Sequence, residues 1–293
     1  MIINVLVKFT CKGKQMIPEI KNTIHVLRPV VIWRIFIKSI IFVLIPITFL
    51  HLTLIIASDK VPAKQIAFQP GEKLIYKGKW GIIPAGEVTL EVLPKETIKG
   101  NEVYHFVMMT KTSAAVDLVY KIRERQDSYV DIGMTHSIFY KKKTESPHPR
   151  NESINFNWEK GEATYTTFGQ NKPPIRILPG TFDPLALFYA IRLRTLKENS
   201  EIHLPLTDGN NLNIEVRAII GKKDVIEIEG IMYDTIEVTP DMGMLDELDK
   251  VVKKSDHPQL KIWVTADGKK IPVRIRSQVG ILSFNFDLVP GPL

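Results

Sequence analysis

The chain of 293 residues has very little cysteine: its one thiol is Cys11, close to the N-terminus. The rest of the sequence therefore has no thiol nucleophile, disulfide or cysteine-ligated metal site. It also lacks a glycine-rich phosphate loop, a G-x-S-x-G elbow and an H-E-x-x-H zinc motif. The histidines after residue 60 are scattered, with no pair at ligand spacing. The sequence thus predicts no catalytic constellation, no metal and no cofactor.

Excess charge is also missing from most of the chain. The net charge is +7, but residues 1–60 hold eight Lys/Arg against two Asp/Glu, which leaves 31 against 30 in the remainder. A nearly neutral body has no bulk field that draws polyanions to it. We therefore expect no nucleic-acid partner.

What the N-terminal region does contain is an export signal. Residues 39–58, SIIFVLIPITFLHLTLIIAS, form an apolar run behind the basic residues Arg28, Arg34 and Lys38. A basic flank before an apolar core is typical of secretory segments, and the positive side stays in the cytoplasm. The run is near the lower length limit of a spanning helix, roughly 17–25 residues. Both cleavage and retention as an inner-membrane anchor through residues 39–57 therefore remain open, and membrane contact is expected only if the segment is kept.

This interpretation divides the chain into three parts. Residues 1–58 are a cytoplasmic extension with a signal peptide or signal anchor, 59–70 are a linker, and 71–293 are a single β domain. The predicted location is the periplasm or cell envelope.

The body is rich in short runs that alternate apolar and polar residues, as half-buried strands do. About a dozen such runs with few helices favour antiparallel pairing, because parallel crossovers need helices. Strands this numerous usually curl. We predict a mainly β fold: a curved antiparallel sheet, half-barrel or barrel-like, after an N-terminal export or anchor helix.

One stretch, PGTFDPLALFYAIR at 179–192, breaks this alternation. Asp183 fits an N-cap and Pro184 the first helical position. The residues that follow leave no polar face for about two turns, so the helix must be buried on more than one side. We predict a helix over about 184–196, packed as a plug on the concave face of the sheet, with Arg192 near its negative C-terminal end.

Four smaller expectations concern local structure. Residues 116–131 are predicted to form one strand, and 241–257 a short amphipathic helix or a mobile excursion, from their apolar spacing. Lys141–Lys143 are interpreted as a solvated strand end or a protected edge. The Asp267-Gly268 pair favours a tight mirror-image hairpin turn.

Three segments resemble the DUF3108 family of exported bacterial proteins: GEKLIYKGKWGIIPAGEVTLEV, FDPLALFYAIR and IWVTADGKKIPVRI. The resemblance extends over about residues 70–289 and implies an exported antiparallel β fold, akin to the half-barrels of periplasmic lipoprotein carriers. It implies no activity. The motif residues that carry it, interpreted as structural, are Gly71, Glu72, Leu74, Tyr76, Ala85, Gly86, Asp183, Leu185, Tyr189, Arg192, Trp263, Asp267, Pro272 and Val273, with Pro184 and Gly268 beside them.

Three functions compete. The first and favoured one is a non-enzymatic envelope protein that holds an apolar or amphipathic, lipid-like ligand in the curved sheet. The candidate ligand-binding residues are Trp80, Tyr104, Leu187, Tyr189, Arg192 and Trp263. The second is an envelope assembly or structural factor that binds a protein partner through a sheet edge or residues 241–257. The third is an enzyme acting on envelope glycans or lipids, with Asp183, Arg192 and Asp267 as its best candidates.

Overall fold

The structure is a computed structural model and describes residues 67–98, 100–208, 213–246, 248–254, 259–279 and 282–291. The predicted export segment and most of the predicted linker lie outside the described residues. The helices are α1 (Ala114–Tyr120) and α2 (Pro184–Arg192). The strands are β1 (Lys73–Trp80), β2 (Ile83–Ile98), β3 (Asn101–Thr112), β4 (Arg123–Asp131), β5 (Ser137–Glu145), β6 (Arg150–Asn157), β7 (Glu162–Thr167), β8 (Gln170–Asn171), β9 (Ile175–Arg176), β10 (Ser200–Thr207), β11 (Asn213–Ile228), β12 (Ile231–Leu245), β13 (Val251–Lys254), β14 (Gln259–Thr265), β15 (Pro272–Val279) and β16 (Leu282–Leu288).

These strands form one curved antiparallel sheet, as the alternation predicted. Its order is β10-β11-β12-β14-β15-β16-β1-β2-β3-β4-β5-β6-β7-β8, with β13 beside β12 and β9 beside β7. Most neighbours follow each other in the chain, because short hairpins join antiparallel strands. The two ends of the path, β10 and β8, are not paired with each other, so the sheet is a half-barrel that does not close.

The segment before α2 crosses the opening between these two ends. The backbone N–H of Ser137 on β5 donates to the carbonyl of Thr181 at 3.1 Å. The next residue, Phe182, forms a parallel bridge with Leu206 on β10, and its N–H donates to the Pro205 carbonyl at 3.0 Å. The chain therefore enters α2 already tied to both sides of the half-barrel.

Helix α2 is the predicted plug, which confirms this part of the fold. The Asp183 carboxylate accepts from the backbone N–H of Leu185 at 2.8 Å and of Ala186 at 2.9 Å. Five of the nine helical residues are buried, and the Tyr189 ring stacks on Phe106 of β3 at 4.0 Å. The helix ends at Arg192 rather than about residue 196, because the Leu193 N–H closes onto Ala190 and the chain then turns toward β10.

Two local predictions were wrong. Residues 116–131 are not one strand: α1 occupies Ala114–Tyr120, and β4 starts at Arg123. The amphipathic helix predicted within 241–257 is absent from the described residues, since β12 continues to Leu245 and pairs with β13, while the alternative of a mobile excursion stays a prediction. The apolar residues from 244 onwards are spaced as in a helix, but Met244 pairs with Ile214 of β11, and this pairing makes the segment a strand.

Two turn and edge predictions were also wrong. Strand β5, which carries Lys141–Lys143, lies between β4 and β6, and Lys142 is buried beside Glu124 with Nζ to Oε2 at 3.4 Å. The turn at Asp267-Gly268 is part of a longer loop, 266–271, in which Lys270 has φ +48°. The Asp267 carboxylate shapes this loop by accepting from the N–H groups of Lys269 and Lys270, both at 3.1 Å.

Candidate ligand-binding hollow beneath helix α1

The three resembling segments meet at the C-terminal end of α2. Arg192 is fully buried there and forms a two-pronged ion pair with Glu72, with Nη1 to Oε1 at 2.6 Å and Nη2 to Oε2 at 2.9 Å. Its remaining N–H groups donate to the carbonyls of Ala67 at 2.8 Å and Lys269 at 3.1 Å. The guanidinium lies at the C-terminal end of the helix, as predicted, and it ties the start of the fold and the 266–271 loop to α2.

The same end of the molecule is reinforced by aromatic contacts. The Tyr76 hydroxyl donates to the carbonyl of Pro272 at 2.8 Å, and the ring of Phe68 packs edge-on against Tyr189 at 5.2 Å. Ala67 and Phe68 are buried in the core, so the last residues of the predicted linker belong to the fold. These contacts give the motif residues a shared packing role.

The six candidate ligand-binding residues are separated by the structure. Tyr104 and Tyr189 are packed in the core beside Phe106 and line neither of the two hollows described below. Trp263 lies between Ile262 and Val264, which face α2, so its ring points to the other face of the sheet under Arg276. Arg192 is engaged with Glu72. Leu187 and Trp80 remain, and each lines a different hollow.

Leu187 lines a shallow groove beside α2. Its other walls are the concave side chains of β10, β11, β12 and β14, and the space is about 850 Å³, partly open to solvent. The groove residues are Pro184, Leu187, Phe188, Ile191, Leu204, Leu206, Asp208, Ile214, Val216, Ala218, Val238, Pro240, Met242, Leu260 and Ile262.

Trp80 lines a larger hollow, which we call the α1 hollow. It holds about 1320 Å³ of space, partly open to solvent, between α1 and the concave face formed by β16, β1, β2 and β3. Its lining residues are Trp80, Ile83, Ala85, Gly86, Glu87, Thr110, Lys111, Thr112, Ala115, Val116, Val119, Tyr120, Ile122, Phe284 and Phe286. The indole of Trp80 stacks on Phe284 with ring centres 6.3 Å apart and is 45% exposed.

Two paired glycines lie beside this hollow. Gly78 and Gly86 face each other across β1 and β2, so neither strand has a side chain at this position, and Gly86 lines the hollow. A Cβ on Gly78 would lie 2.6 Å from the Phe286 ring, and one on Gly86 would lie 2.3 Å from the Lys111 carbonyl. Gly86 therefore allows β2 to approach β3 closely, which explains the glycine in the first resembling segment.

Helix α1 forms the roof of the hollow without any buried residue of its own. Its N-cap, Ser113, accepts from Val116 N–H at 3.4 Å and donates to the Pro84 carbonyl at 2.6 Å. Asp117 is bound by Arg123, with Oδ1 to Nη1 at 3.0 Å. Hydrogen bonds from Arg123 and then from Thr112 lower the pKa of Asp117 to about 2. Polar contacts hold α1 in place, and its residues Ala115, Val116, Val119 and Tyr120 line the open space.

The inner wall of the hollow leads to a buried polar cluster. Thr110 lines the hollow, and its Oγ1 is buried without a hydrogen-bond partner among the described residues. Its register partner on β4 is Glu124, whose carboxylate accepts from Thr144 at 2.7 Å and Gln126 at 2.5 Å and pairs with Lys142. The signal in the sequence for this inward polar stripe was the uninterrupted polar run RERQDS at 123–128, which puts polar residues on both faces of β4.

Another polar cluster, on the outer face, was not anticipated from the sequence. His105 lies between two carboxylates, with Nδ1 to Glu96 Oε1 at 2.5 Å and Nε2 to Asp127 Oδ1 at 2.9 Å. Burial raises the pKa of Asp127, but hydrogen bonds from His105 and Arg125 outweigh it and lower the pKa to about 2. Both imidazole nitrogens are engaged, so neither is available as a general base.

The residues proposed for an enzyme do not form one site. Asp183 and Arg192 lie at opposite ends of α2, about 13 Å apart at 1.5 Å per residue. Burial raises the pKa of Asp183, and its carboxylate is occupied by Ser128, Ser137 and the helix N-terminus. In the described part of the chain no group of three or more His, Cys, Asp or Glu residues could hold a metal ion.

The membrane prediction rests on residues outside the described ranges. Within those ranges, no helix combines the length and the apolar character needed to cross a bilayer.

The fold and hollow define a class: an open antiparallel half-barrel with a plug helix and an apolar cavity at one end. More particularly, the chain belongs to the DUF3108 family, described as protein of unknown function, whose sequence profile matches residues 75–289. The suspected family is thereby confirmed.

The crystal structure of a beta-barrel-like protein of domain of unknown function DUF1849 from Brucella abortus is similar at 13% sequence identity, with a TM-score of 0.48. The similarity covers 74% of this chain and 95% of that one. No curated protein matches the sequence.

Proposed function

We propose that this protein is exported to the cell envelope and there holds an apolar or amphipathic, lipid-like ligand in the α1 hollow, without catalysing a reaction on it. The observation that carries the proposal is the hollow itself, which is lined mainly by aromatic and aliphatic side chains and whose volume, once open solvent is left out, is about 440 Å³. Cavities that hold small ligands are of this size and character. Export is supported by the basic flank and apolar run of residues 28–58.

The apolar surface that α1 exposes to water supports a bound ligand in the hollow. Apolar surface is unfavourable in water by roughly 25 cal/mol per Å². Val116 and Val119 gain little burial from the fold because they face the open hollow. An apolar chain between α1 and the stacked rings of Trp80 and Phe284 would remove both surfaces from water.

Fluorescence of a neutral apolar probe, N-phenyl-1-naphthylamine, tests this proposal. We expect saturable binding to the purified protein, reversed by lipid extracted from the envelope. The variant Ala115→Trp fills the hollow from α1 and should abolish probe binding, whereas Ala114→Trp, on the same helix but outside the lining, should leave it unchanged. Equal binding by both variants, or no saturable binding by the wild type, contradicts the proposal.

A second function, binding of a protein partner, is favoured by the β12–β13 hairpin. Among the described residues, strand β13 pairs only with β12, and the exposed apolar residues Leu248, Val251 and Val252 lie on or beside it. An edge strand with outward apolar side chains can accept a strand from another chain. Cross-linking in the envelope from position 252 would detect such a partner, and a Val252→Asp variant should lose the cross-link. An unchanged cross-linking pattern rules out this placement.

A further inference from the structure

The opening of the α1 hollow is surrounded by exposed apolar side chains. Ile82, in the turn between β1 and β2, is 96% exposed, and Leu118 and Val119 on α1 are 89% and 83% exposed. Together with Trp80 and Ile83 they form what we call the mouth patch. Single exposed apolar residues are normal on a protein surface, but a group of five around one opening marks an interaction site.

The two sides of the mouth patch are held next to each other. The N-cap of α1, Ser113, donates from its hydroxyl to the Pro84 carbonyl at 2.6 Å and from its N–H to the Ala85 carbonyl at 3.0 Å. The β1–β2 hairpin and α1 therefore share one end of the half-barrel and line the same hollow. A flat surface pressed against this end would contact both.

The charges beside the patch are mainly positive. Glu87 is paired with Lys111 at 2.8 Å, and Asp117 is paired with Arg123. Lys79, next to Trp80, and Lys121, the C-cap of α1, have no ion-pair partner among the residues that the structure describes. Apolar side chains bordered by free lysines are the composition of peripheral membrane-binding surfaces, where lysine stems lie along the interface and the ammonium groups meet anionic headgroups.

We propose that the mouth patch docks on an anionic lipid bilayer, with Ile82 and Leu118 inserted at the level of the headgroups and the opening of the α1 hollow facing the membrane. The inference rests on the proposed function in one respect: docking in this orientation would let an apolar chain pass between bilayer and hollow without crossing water.

A fluorophore at the patch tests this orientation in the full chain. An environment-sensitive label is attached at Ile82→Cys in a Cys11→Ser background, and a matched control carries it at Phe168→Cys, an exposed apolar residue in the β7–β8 turn that is absent from the mouth. Vesicles of phosphatidylglycerol and phosphatidylcholine should shift the emission of the position 82 label to shorter wavelength and leave position 168 unchanged. The leader is identical in both, so the difference reports which end faces the lipid.

Further variants and vesicles of different charge test whether the partner is an anionic bilayer. Replacing Lys79 and Lys121 by Gln should weaken the response to anionic vesicles about fivefold for each lysine, whereas Lys141→Gln and Lys143→Gln, on exposed positions of β5, should not. Leu118→Asp should abolish the shift. Vesicles of phosphatidylcholine alone should give a weaker shift, and raised salt should reduce the difference between the two vesicle types.

Equal responses at positions 82 and 168, or none at position 82, overturn the inference. An equal response to neutral and anionic vesicles overturns the assignment of an anionic bilayer. Probe binding separates the two proposals: vesicle docking without N-phenyl-1-naphthylamine binding contradicts the proposed function alone, and probe binding without docking contradicts this inference alone.

Discussion

The two helices of this protein have the same kind of sequence and opposite environments. Both are short, begin at a polar N-cap and consist mainly of apolar residues. Helix α2 buries five of its nine residues, and its ends are tied by buried charges. Helix α1 buries none of its seven residues and is held by partly exposed polar contacts.

The difference between the two helices distinguishes a structural region of the half-barrel, around α2, from the region beneath α1 that is proposed to bind a ligand. Helix α2 packs its buried side chains into the core and leaves only the groove on its other side open, and the polar groups at both helix ends are paired, as a structural plug requires. Beneath α1 the same face is lined by Gly86 and the stacked rings of Trp80 and Phe284, and the space is open to solvent. Helix α1 is therefore the part of the half-barrel on which the proposed ligand site rests.

The largest effect is expected from Arg192→Ala at the end of α2. The change leaves the carboxylate of Glu72 unpaired and removes donors from two carbonyls, so the free energy of unfolding should fall by about 3–5 kcal/mol. Urea denaturation measures it, with Arg194→Ala, an exposed neighbour, as the control that stays within about 0.5 kcal/mol. A loss below about 1 kcal/mol for Arg192→Ala contradicts the role assigned to the ion pair.

Removing the N-cap of each helix should cost more stability at α2 than at α1. Asp183→Ala removes the α2 cap and the acceptor of two buried serine hydroxyls, for a loss of about 2–3 kcal/mol. Ser113→Ala at α1 should cost at most about 1 kcal/mol. Because burial raises the pKa of Asp183 above its unfolded value, its contribution is largest in acid and declines as pH rises through the raised pKa. Urea curves at acidic and neutral pH check both statements, and equal losses from the two caps would remove the contrast.

Two tyrosine hydroxyls give a smaller, opposed pair of effects. The buried Tyr189 hydroxyl has no partner among the described residues, so Tyr189→Phe should be neutral or stabilise the protein by up to about 1 kcal/mol. Tyr76→Phe loses the bond to the Pro272 carbonyl and should destabilise by about 1 kcal/mol. Thermal or urea unfolding of both variants decides the sign, and a clear destabilisation by Tyr189→Phe would mean that its hydroxyl is paired.

The smallest effect on global stability is expected in α1. Asp117→Asn weakens the tie to Arg123 and should speed amide hydrogen exchange in residues 114–121 while leaving the urea midpoint unchanged. The pKa of Asp117, about 2, lies below its unfolded value, so its contribution is present above about pH 4 and is lost only as pH falls toward 2. Exchange in wild-type α1, corrected for intrinsic rates, should therefore not change between neutral and mildly acidic pH. Faster exchange on mild acidification would contradict this assignment.

The spacing of apolar residues in the sequence predicted two kinds of element: strands buried on one face and a helix buried on nearly all sides. Period-two alternation indicated the antiparallel strands, and the apolar faces of 185–191 required a buried helix. It failed where contacts with other elements determine the local structure. Helix α1 is held by Arg123 and the Pro84 carbonyl, and residues 241–244 form a strand because they pair with β11. Lys142 is buried because it pairs with Glu124 on the neighbouring strand. Of the candidate ligand residues, aromatic character alone could not distinguish Trp80 at the hollow from Trp263 under Arg276, because the face of a side chain depends on register.

The sequence by itself determined the curved antiparallel sheet, the start of α2 at Asp183 and its burial, because these follow from side-chain periodicity and capping within a few residues. Only the tertiary structure decided that Arg192 points inward to Glu72, that α1 exists, and that Gly86, Trp80 and Phe284 line one hollow. These residues are far apart in the chain, and the space between them is set by the curvature and register of the whole sheet, which no local pattern encodes.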